Sequence, residues 1–411
     1  MQRGGALETP TAQPSGSTTR ARPPQAARRP CRAPDGRGPP HEGLPSGLAA
    51  ALTPPRDRRH SGATTRRGHA VIALDYPFPL PPANGATLEV APGLHWLRLP
   101  LPFRLDHVNV YLAEGERGWT VVDAGVDTPE ARALWEGVLG GLLAGKPVER
   151  LVVTHYHPDH VGAAAWLCGR TGAELAMGET EYLTARVHRL ATPDDLGAER
   201  GFYLGHGLTP EQLDRMGQRL DRYRAVVPDL PRRYAPLRAG DIVRIGRFEA
   251  EAMTYAGHSP AQVLLHVPAH DLLFAADHVL PQISPNVSVA EEKPEDDPLG
   301  RYVASLADLP ARVPDRTLVL PGHRLPFFGL HRRCADLAAH HAARCADLAR
   351  FCDPDAPPTA AEIVPLLFTM ELDAHQFWFA FSETLAHVNL MARRGDLTEV
   401  RDGSLRRWRS S

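Results

Sequence analysis

The segment Thr154–Gly162 reads T-H-Y-H-P-D-H-V-G and places four side chains of metal-ligand type within six positions. His155 and His157 are two residues apart on extended chain, so their side chains point the same way and can bind one ion. Asp159 and His160 follow at the predicted start of a helix, where they can face a second ion beside the first. Packing does not explain so many polar side chains at a strand end, and the segment therefore predicts a metal site.

Four residues cannot complete the coordination of two ions that also bind water, so further ligands must come from elsewhere in the chain. Three downstream positions have a suitable context, because each follows an apolar segment that is predicted to be a strand. They are His258 in T-Y-A-G-H-S-P, Asp277 in L-F-A-A-D and His323 in L-V-L-P-G-H. Asp277 is the one carboxylate of the three and is suited to bridging two cations.

The elements that must position these residues alternate along the chain. The segments LEVAPGLHWLRLP and HVNVYLAEGERGWTVVDAG are typical of strands in hairpins, a helix is predicted over Thr128–Leu143, and the strand ERLVVT ends directly at the histidine cluster. Strands and helices then alternate as far as Thr317–Leu320, and residues 180–235 are predicted to form helices that cover the site. No G-x-G-x-x-G segment follows the first strands, which argues against a doubly wound parallel sheet.

After His323 the pattern becomes helical. Helices are predicted from about Leu330 to Phe351, from Thr359 and near Ala374–Arg394, followed by a hairpin around Asp402-Gly403. Three helices and a hairpin make a winged-helix-like module. Its arginines could contact nucleic acid, but 44 of the 46 basic residues in the chain are arginine, so a packing or dimerisation role is favoured. The arginines in question are Arg393, Arg394, Arg401, Arg406, Arg407 and Arg409.

These motifs, in this order over about residues 85–325, resemble the metallo-β-lactamase superfamily, and more closely its hydroxyacylglutathione-hydrolase-like branch. The resemblance implies an α/β fold, an αββα sandwich with the metals at one edge between two sheets. It also implies that Asp277 bridges two metals and that Asp123, at the end of V-V-D-A-G, supports the ligands from behind. One metal would be bound by His155, His157 and His258, and the other by Asp159, His160 and His323.

The resemblance extends to the C-terminal segments, which are similar to the winged-helix extension of bacterial and mitochondrial relatives. We therefore predict three regions. Residues 1–70 form a disordered Arg/Pro-rich tail, residues 71–329 a metallo-β-lactamase-fold catalytic domain, and residues 330–411 a small helical winged-helix-like domain.

The expected function is that of a binuclear metal-dependent hydrolase, in which a metal-bridging hydroxide cleaves a small thioester or ester and Asp159 orients that hydroxide or accepts its proton. The expected cofactors are two divalent ions, zinc first, with iron or manganese as alternatives. Two other functions stay open, an endoribonuclease acting on single-stranded RNA and a lactonase. Residues 1–70 carry 12 arginines against 4 acidic residues, which leaves a net charge of about −10 for the rest and disfavours nucleic acid as a partner.

The composition predicts a cytoplasmic protein that is not associated with a membrane. No apolar segment is long enough to span a bilayer, no secretory signal is evident, and five cysteines without paired spacing do not form a disulfide framework. A homodimer is left open. The histidines outside the motifs are each predicted to be ordinary surface or core residues: His188, His206, His266, His270, His278, His331, His340, His341, His375 and His387.

Overall fold

The computed structural model describes residues 74–411, with the exception of residues 191–194, 217–218 and 290. The predicted tail, residues 1–70, lies outside the described residues. The described residues all belong to one compact unit. The boundary predicted between residues 329 and 330 stays a prediction.

The first half of the described chain forms a seven-stranded sheet in which the strands follow one another in sequence order. Strands β1 to β4 pair antiparallel, whereas β4 to β7 pair parallel. The parallel strands are connected through helices, as parallel pairing requires. The strands are β1 (Thr87–Ala91), β2 (Leu94–Pro100), β3 (His107–Glu114), β4 (Trp119–Val122), β5 (Val148–Val153), β6 (Glu174–Gly178) and β7 (Ala235–Leu237).

Among the described residues between β4 and β7 there are seven helices. Thr128 caps the first of them by accepting a hydrogen bond from the backbone N–H of Ala131, and Pro129 occupies the first helical position, where its missing N–H costs nothing. The helices are α1 (Pro129–Gly140), α2 (Pro158–Val161), α3 (Ala164–Thr171), α4 (Glu179–Leu190), α5 (Asp195–Gly205), α6 (Pro210–Met216) and α7 (Arg219–Val226).

The second sheet has five strands in the order β12-β11-β10-β9-β8. Strands β8 to β11 pair antiparallel, and β12 returns through helix α8 to pair parallel with β11. Strand β10 is buried along its whole length, which fits its nearly continuous apolar sequence. The elements are β8 (Ile242–Ile245), β9 (Phe248–Tyr255), β10 (Gln262–Val267), β11 (Leu272–Ala276), α8 (Pro298–Arg312) and β12 (Leu318–Pro321).

Three apolar cores define the layers. The core between the two sheets includes Trp96 and Tyr111 of the first sheet and Phe248 and Phe274 of the second. A second core, around Trp135, lies between the outer face of the first sheet and its helices. The third core buries α8 against the outer face of the second sheet. The order of layers is therefore helix, sheet, sheet, helix, and the predicted αββα sandwich is confirmed.

The C-terminal region consists of three helices and a two-stranded sheet. The helices and the hairpin that the sequence predicts here are confirmed, while the winged-helix assignment stays a prediction. Thr359 and Glu362 form a capping box that starts the middle helix. Phe381 belongs to the same core as α8, so this region packs directly on the helix that covers the second sheet. The elements are α9 (Leu330–Phe351), α10 (Ala360–Leu367), α11 (Ala374–Arg394), β13 (Leu397–Asp402) and β14 (Leu405–Ser410).

Among the described residues, no helix combines the length and the apolar character that crossing a lipid bilayer requires.

Candidate metal centre

The predicted ligands all lie just beyond the C-terminal ends of strands, and these strands come from both sheets. Strand β5 ends at Val153, directly before the histidine segment. In the second sheet, β9, β11 and β12 end shortly before His258, Asp277 and His323. The edges of the two sheets therefore meet at one place, and the structure brings all seven predicted ligands together there in two adjoining clusters.

The first cluster consists of His155, His157 and His258, whose ring nitrogens converge. His155 Nε2 lies 3.0 Å from His157 Nδ1, which in turn lies 2.9 Å from His258 Nε2. His258 Nδ1 donates a hydrogen bond of 2.8 Å to the backbone carbonyl of Asn286, so its Nε2 carries the lone pair when the ring is neutral. Two tetrahedral ligands of a zinc ion are about 3.3 Å apart, given bonds of about 2.0–2.1 Å. The spacing of this cluster is close to that value.

The second cluster consists of Asp159, His160, Asp277 and His323. His160 Nε2 is 3.7 Å from Asp159 Oδ2 and 3.4 Å from Asp277 Oδ1. His323 Nε2 is 3.3 Å from Asp159 Oδ2 and 3.1 Å from Asp277 Oδ2. His160 Nε2 and Asp277 Oδ1 are buried and have no hydrogen-bond partner among the described residues. Buried polar atoms without a partner are costly, so this cluster is incomplete as it stands and fits a bound cation.

Asp277 connects the two clusters. Its Oδ2 atom is 3.5 Å from His258 Nε2 of the first cluster and 3.1 Å from His323 Nε2 of the second. A carboxylate with two oxygens is the one ligand type in this set that can bind two cations at once. The structure therefore places Asp277 where the sequence predicts a bridging residue.

The electrostatics of the two clusters differ. Burial lowers the pKa of His155 and that of His157 well below the usual value, so both rings are neutral, as metal ligands must be. In the second cluster burial opposes protonation, but Asp277 and Asp159 raise the pKa of His323 to about 10. The carboxylates of the second cluster therefore favour a positive charge beside them. The His/Asp clusters have the charge and the nitrogen and oxygen donors suited to a divalent metal ion.

Asp123 lies behind the second cluster. Its Oδ2 atom accepts a hydrogen bond of 2.8 Å from His160 Nδ1, and its Oδ1 atom accepts one from the backbone N–H of Thr154. Because Nδ1 is committed to Asp123, Nε2 of His160 is free to face the cluster. Asp123 has a φ of 65°, a left-handed conformation that non-glycine residues rarely adopt. Such strain is typical of functional sites.

Glu181, which was not predicted from the sequence, connects the segment that carries His157 to the segment that carries His258. It lies in the first turn of α4, is fully buried, and accepts hydrogen bonds from the backbone N–H of Tyr156, the hydroxyl of Ser259 and the backbone N–H of Ala261. These partners flank His157 and His258. An acidic residue in the first turn of a helix is normally exposed and interacts with the helix dipole, and Glu181 differs from such a residue only by its burial.

The turn that carries His323 is held by strand β3. Asn109 Nδ2 donates hydrogen bonds to the backbone carbonyls of Pro321 and Arg324, and His323 Nδ1 donates one of 2.7 Å to the carbonyl of His107. The ring of His323 is thereby fixed with Nε2 towards Asp277. Within this turn, a Cβ atom on Gly322 would lie well inside van der Waals contact of the Asp277 carboxylate.

Comparisons with known proteins show the family of this chain. A family model described as the metallo-beta-lactamase superfamily matches residues 103–323, more than half of the chain. A second, described as the metallo-beta-lactamase-like C-terminal domain, matches residues 345–410. The crystal structure of a beta-lactamase domain protein from Burkholderia ambifaria is similar, with 42% identity and a TM-score of 0.75 over 82% of this chain and 97% of that chain.

Two curated proteins are more distant. A probable metallo-hydrolase of Bacillus subtilis, YqjP, is 25% identical over 327 residues, which are 75% of this chain and 95% of that protein. A hydroxyacylglutathione hydrolase of Albidiferax ferrireducens is 33% identical over 100 residues, which are 24% of this chain and 36% of that enzyme. The likeness to this enzyme is thus local.

Proposed function

This chain is a metal-dependent hydrolase of the metallo-beta-lactamase superfamily, and we propose that its substrate is a small thioester or ester. The observation that carries this proposal is the pairing of the C-terminal arginines, because these are the basic residues that an RNA substrate would need. Carboxylates of the chain itself engage several of them. The local likeness to a hydroxyacylglutathione hydrolase supports the same substrate class.

The arginine contacts are specific. Arg406 donates to Glu399 and forms a second ion pair with Glu295, and only 12% of its side chain is exposed. Arg407 is paired with Glu362 and with Asp402. Guanidinium groups committed in this way neutralise protein carboxylates and are not free to replace the counterions of phosphates. The negative net charge of the chain beyond residue 70 also disfavours RNA as a substrate.

The seven clustered residues are proposed to hold two divalent ions, zinc in the first place. His155, His157 and His258 would hold one, Asp159, His160 and His323 the other, and Asp277 both. When bound, the ions would supply Lewis acidity, which acidifies a water molecule and polarises the substrate carbonyl.

Asp159 is the residue of the two clusters best placed to orient a water molecule. Its side chain is 15% exposed, compared with 7% for Asp277, so it faces the open side of the site. Burial raises the pKa of its carboxyl group, but His160 and His323 outweigh burial and lower the pKa to about 2. Asp159 is therefore ionised at neutral pH and can orient a water molecule by accepting a hydrogen bond from it.

The histidines are poor candidates for that role. The Nδ1 protons of His160, His258 and His323 are committed to Asp123, to the carbonyl of Asn286 and to the carbonyl of His107 respectively. These hydrogen bonds orient the rings and hold their Nε2 atoms as ligands.

The test is a hydrolysis screen of purified, metal-analysed full-length protein against aryl and alkyl thioesters, simple esters, lactones and single-stranded RNA, each at several salt concentrations. We expect the highest kcat/KM with a thioester or ester and little dependence on salt. Binding of RNA weakens by a slope of about −0.7 in log K against log salt for each phosphate neutralised on a single strand.

His155→Ala should abolish the activity, whereas His266→Gln, a buried histidine on β10 outside both clusters, should retain it. If RNA is cleaved well above the best thioester and His155→Ala removes that cleavage, the substrate proposal is wrong. If a lactone is the best substrate, the proposed substrate class is wrong, but the assignment of the site residues stands.

A further inference from the structure

A third group of ligand-type side chains lies between α9 and α11, outside the two clusters described above. His340 and His341 are neighbours on α9, and Glu383 lies on α11. Each can offer one ligand atom such that all three atoms lie within 4.8 Å of one another. The rings of His340 and His341 are 5.1 Å apart and nearly perpendicular.

A chain of hydrogen bonds fixes the proton positions of the central histidine. His387 Nδ1 lies 2.8 Å from the backbone carbonyl of Glu383 and must donate to it, because a carbonyl oxygen only accepts. In a neutral ring Nε2 of His387 is then an acceptor, and it lies 3.2 Å from His341 Nδ1, which donates to it. Nε2 of His341 is therefore left with a lone pair.

That lone pair is buried and unused. His341 is 1% exposed, and its Nε2 atom has no hydrogen-bond partner among the residues that the structure describes. The ring of Tyr302, on α8, packs edge-on against it at 5.6 Å and closes the site from the third helix. An imidazole whose one nitrogen is held by a hydrogen bond and whose other nitrogen offers a lone pair is typical of a metal ligand.

The group combines one buried carboxyl group with a positive charge nearby. Glu383 is 8% exposed, and it is the one carboxyl group among the three ligand side chains, so it would supply the negative charge that a bound cation needs. Arg344 adds a positive charge close to the group, and its guanidinium donates to the backbone carbonyl of Leu367 and lies 4.9 Å from the ring of Phe368.

We propose that His340, His341 and Glu383 form a third metal site, which binds a divalent transition-metal ion and joins α9 to α11. His387 is a positioning residue that holds His341 in the required tautomer. Two nitrogens and a carboxylate suit zinc, and a water molecule would complete four ligands. Zinc ligands lie about 3.3 Å apart, so the three side chains must converge by up to about 1.5 Å, which half-buried His340 can provide.

The first experiment measures the zinc content of full-length protein, saturated with Zn²⁺ and then desalted. Glu383→Gln, which preserves the shape of the side chain, is expected to lose one zinc per chain relative to the unaltered protein. The matched control is His266→Gln, which removes another buried histidine with an unpartnered ring nitrogen but belongs to no ligand cluster among the described residues. It should keep the full content.

The second experiment locates the ion. A crystal of the zinc-loaded protein should show an anomalous zinc peak between His341 Nε2 and the Glu383 carboxylate, and Glu383→Gln should lose this peak while it keeps those at the seven-residue site. If Glu383→Gln does not fold, His340→Gln, at a half-exposed position, replaces it. Equal zinc contents in variant and unaltered protein, or the absence of a peak between α9 and α11, would overturn the proposal. Either result leaves the proposed function untouched.

Discussion

The replacement Gly322→Ala tests the position of Asp277 more directly than removal of the carboxylate itself. Gly322 lies on the turn after β12, and its backbone is held on both sides. Its N–H donates to the carbonyl of Ala276 at 2.8 Å, and its carbonyl accepts from the N–H of Asn109 at 2.7 Å. The turn therefore cannot easily move away from Asp277. Gly322 is not among the positive-φ glycines, so alanine brings a steric cost alone.

The magnitude follows from the contacts of the added methyl group. An ideal Cβ atom would lie 2.9 Å from His160 Cε1 and well inside contact distance of Asp277 Oδ1. Ordinary contacts need about 3.5 Å, so the carboxylate must retreat by about 1 Å. Misplacement of a reacting group by that distance can cost about 100-fold in rate, which is about 2.7 kcal/mol of transition-state stabilisation. We expect kcat/KM to fall by about this factor, together with the metal content.

The assay is kcat/KM for the best substrate of the hydrolysis screen, with metal analysis and a thermal melt of the same preparations. Gly169→Ala, within α3, is the matched control, since its Cβ would meet no atom within 4 Å, and it should be active and fully metallated. A Gly322→Ala variant with unaltered kcat/KM and metal content would refute the reasoning, because it would show that the carboxylate does not occupy the space next to Gly322.

Three further replacements address the neighbours of the clusters. Asp123→Asn should weaken metal binding by about 10–100-fold, because the amide holds the Nδ1 proton of His160 less well than the carboxylate does; unchanged affinity in a metal titration would contradict this. Glu181→Gln should cost about 1–3 kcal/mol in free energy of unfolding, measured in urea, because one of its three buried donors loses its acceptor, and a loss below 0.5 kcal/mol would count against it. Asp277→Ala should lower both metal content and turnover, and two retained ions with near-normal turnover would show that it does not couple the clusters.

The sequence predicted the grouping of the seven candidate ligands because that grouping depends on local patterns, whereas the αββα sandwich was implied by the resemblance to a known superfamily. Apolar strands that are followed by histidine or aspartate can be recognised in the sequence, and the ends of strands meet at the edges of sheets. Glu181 was missed because its burial depends on the packing of α4 against the turn after β9, which no local pattern encodes.

The group between α9 and α11 could not be predicted for a similar reason. His341 and His387 are 46 positions apart, and each alone looks like an ordinary helical histidine. The crossing of the two helices brings them together, and that crossing is set by the shared core around Leu337 and Leu385. The role of such residues is set by tertiary packing and cannot be read from the local sequence.

The division of the molecule into two sheets has a consequence for biosynthesis and for engineering. The last strand of the seven-stranded sheet ends at Leu237 and the first strand of the five-stranded sheet begins at Ile242, so the two sheets are formed by successive stretches of the chain. Four candidate ligands emerge from the ribosome with the first stretch, and the other three come only with the second. A nascent chain therefore cannot complete either cluster until the second sheet has been made. A cut in the exposed turn around Gly240 would yield two fragments with half a centre each, whose hydrolysis of a chromogenic ester would report their association.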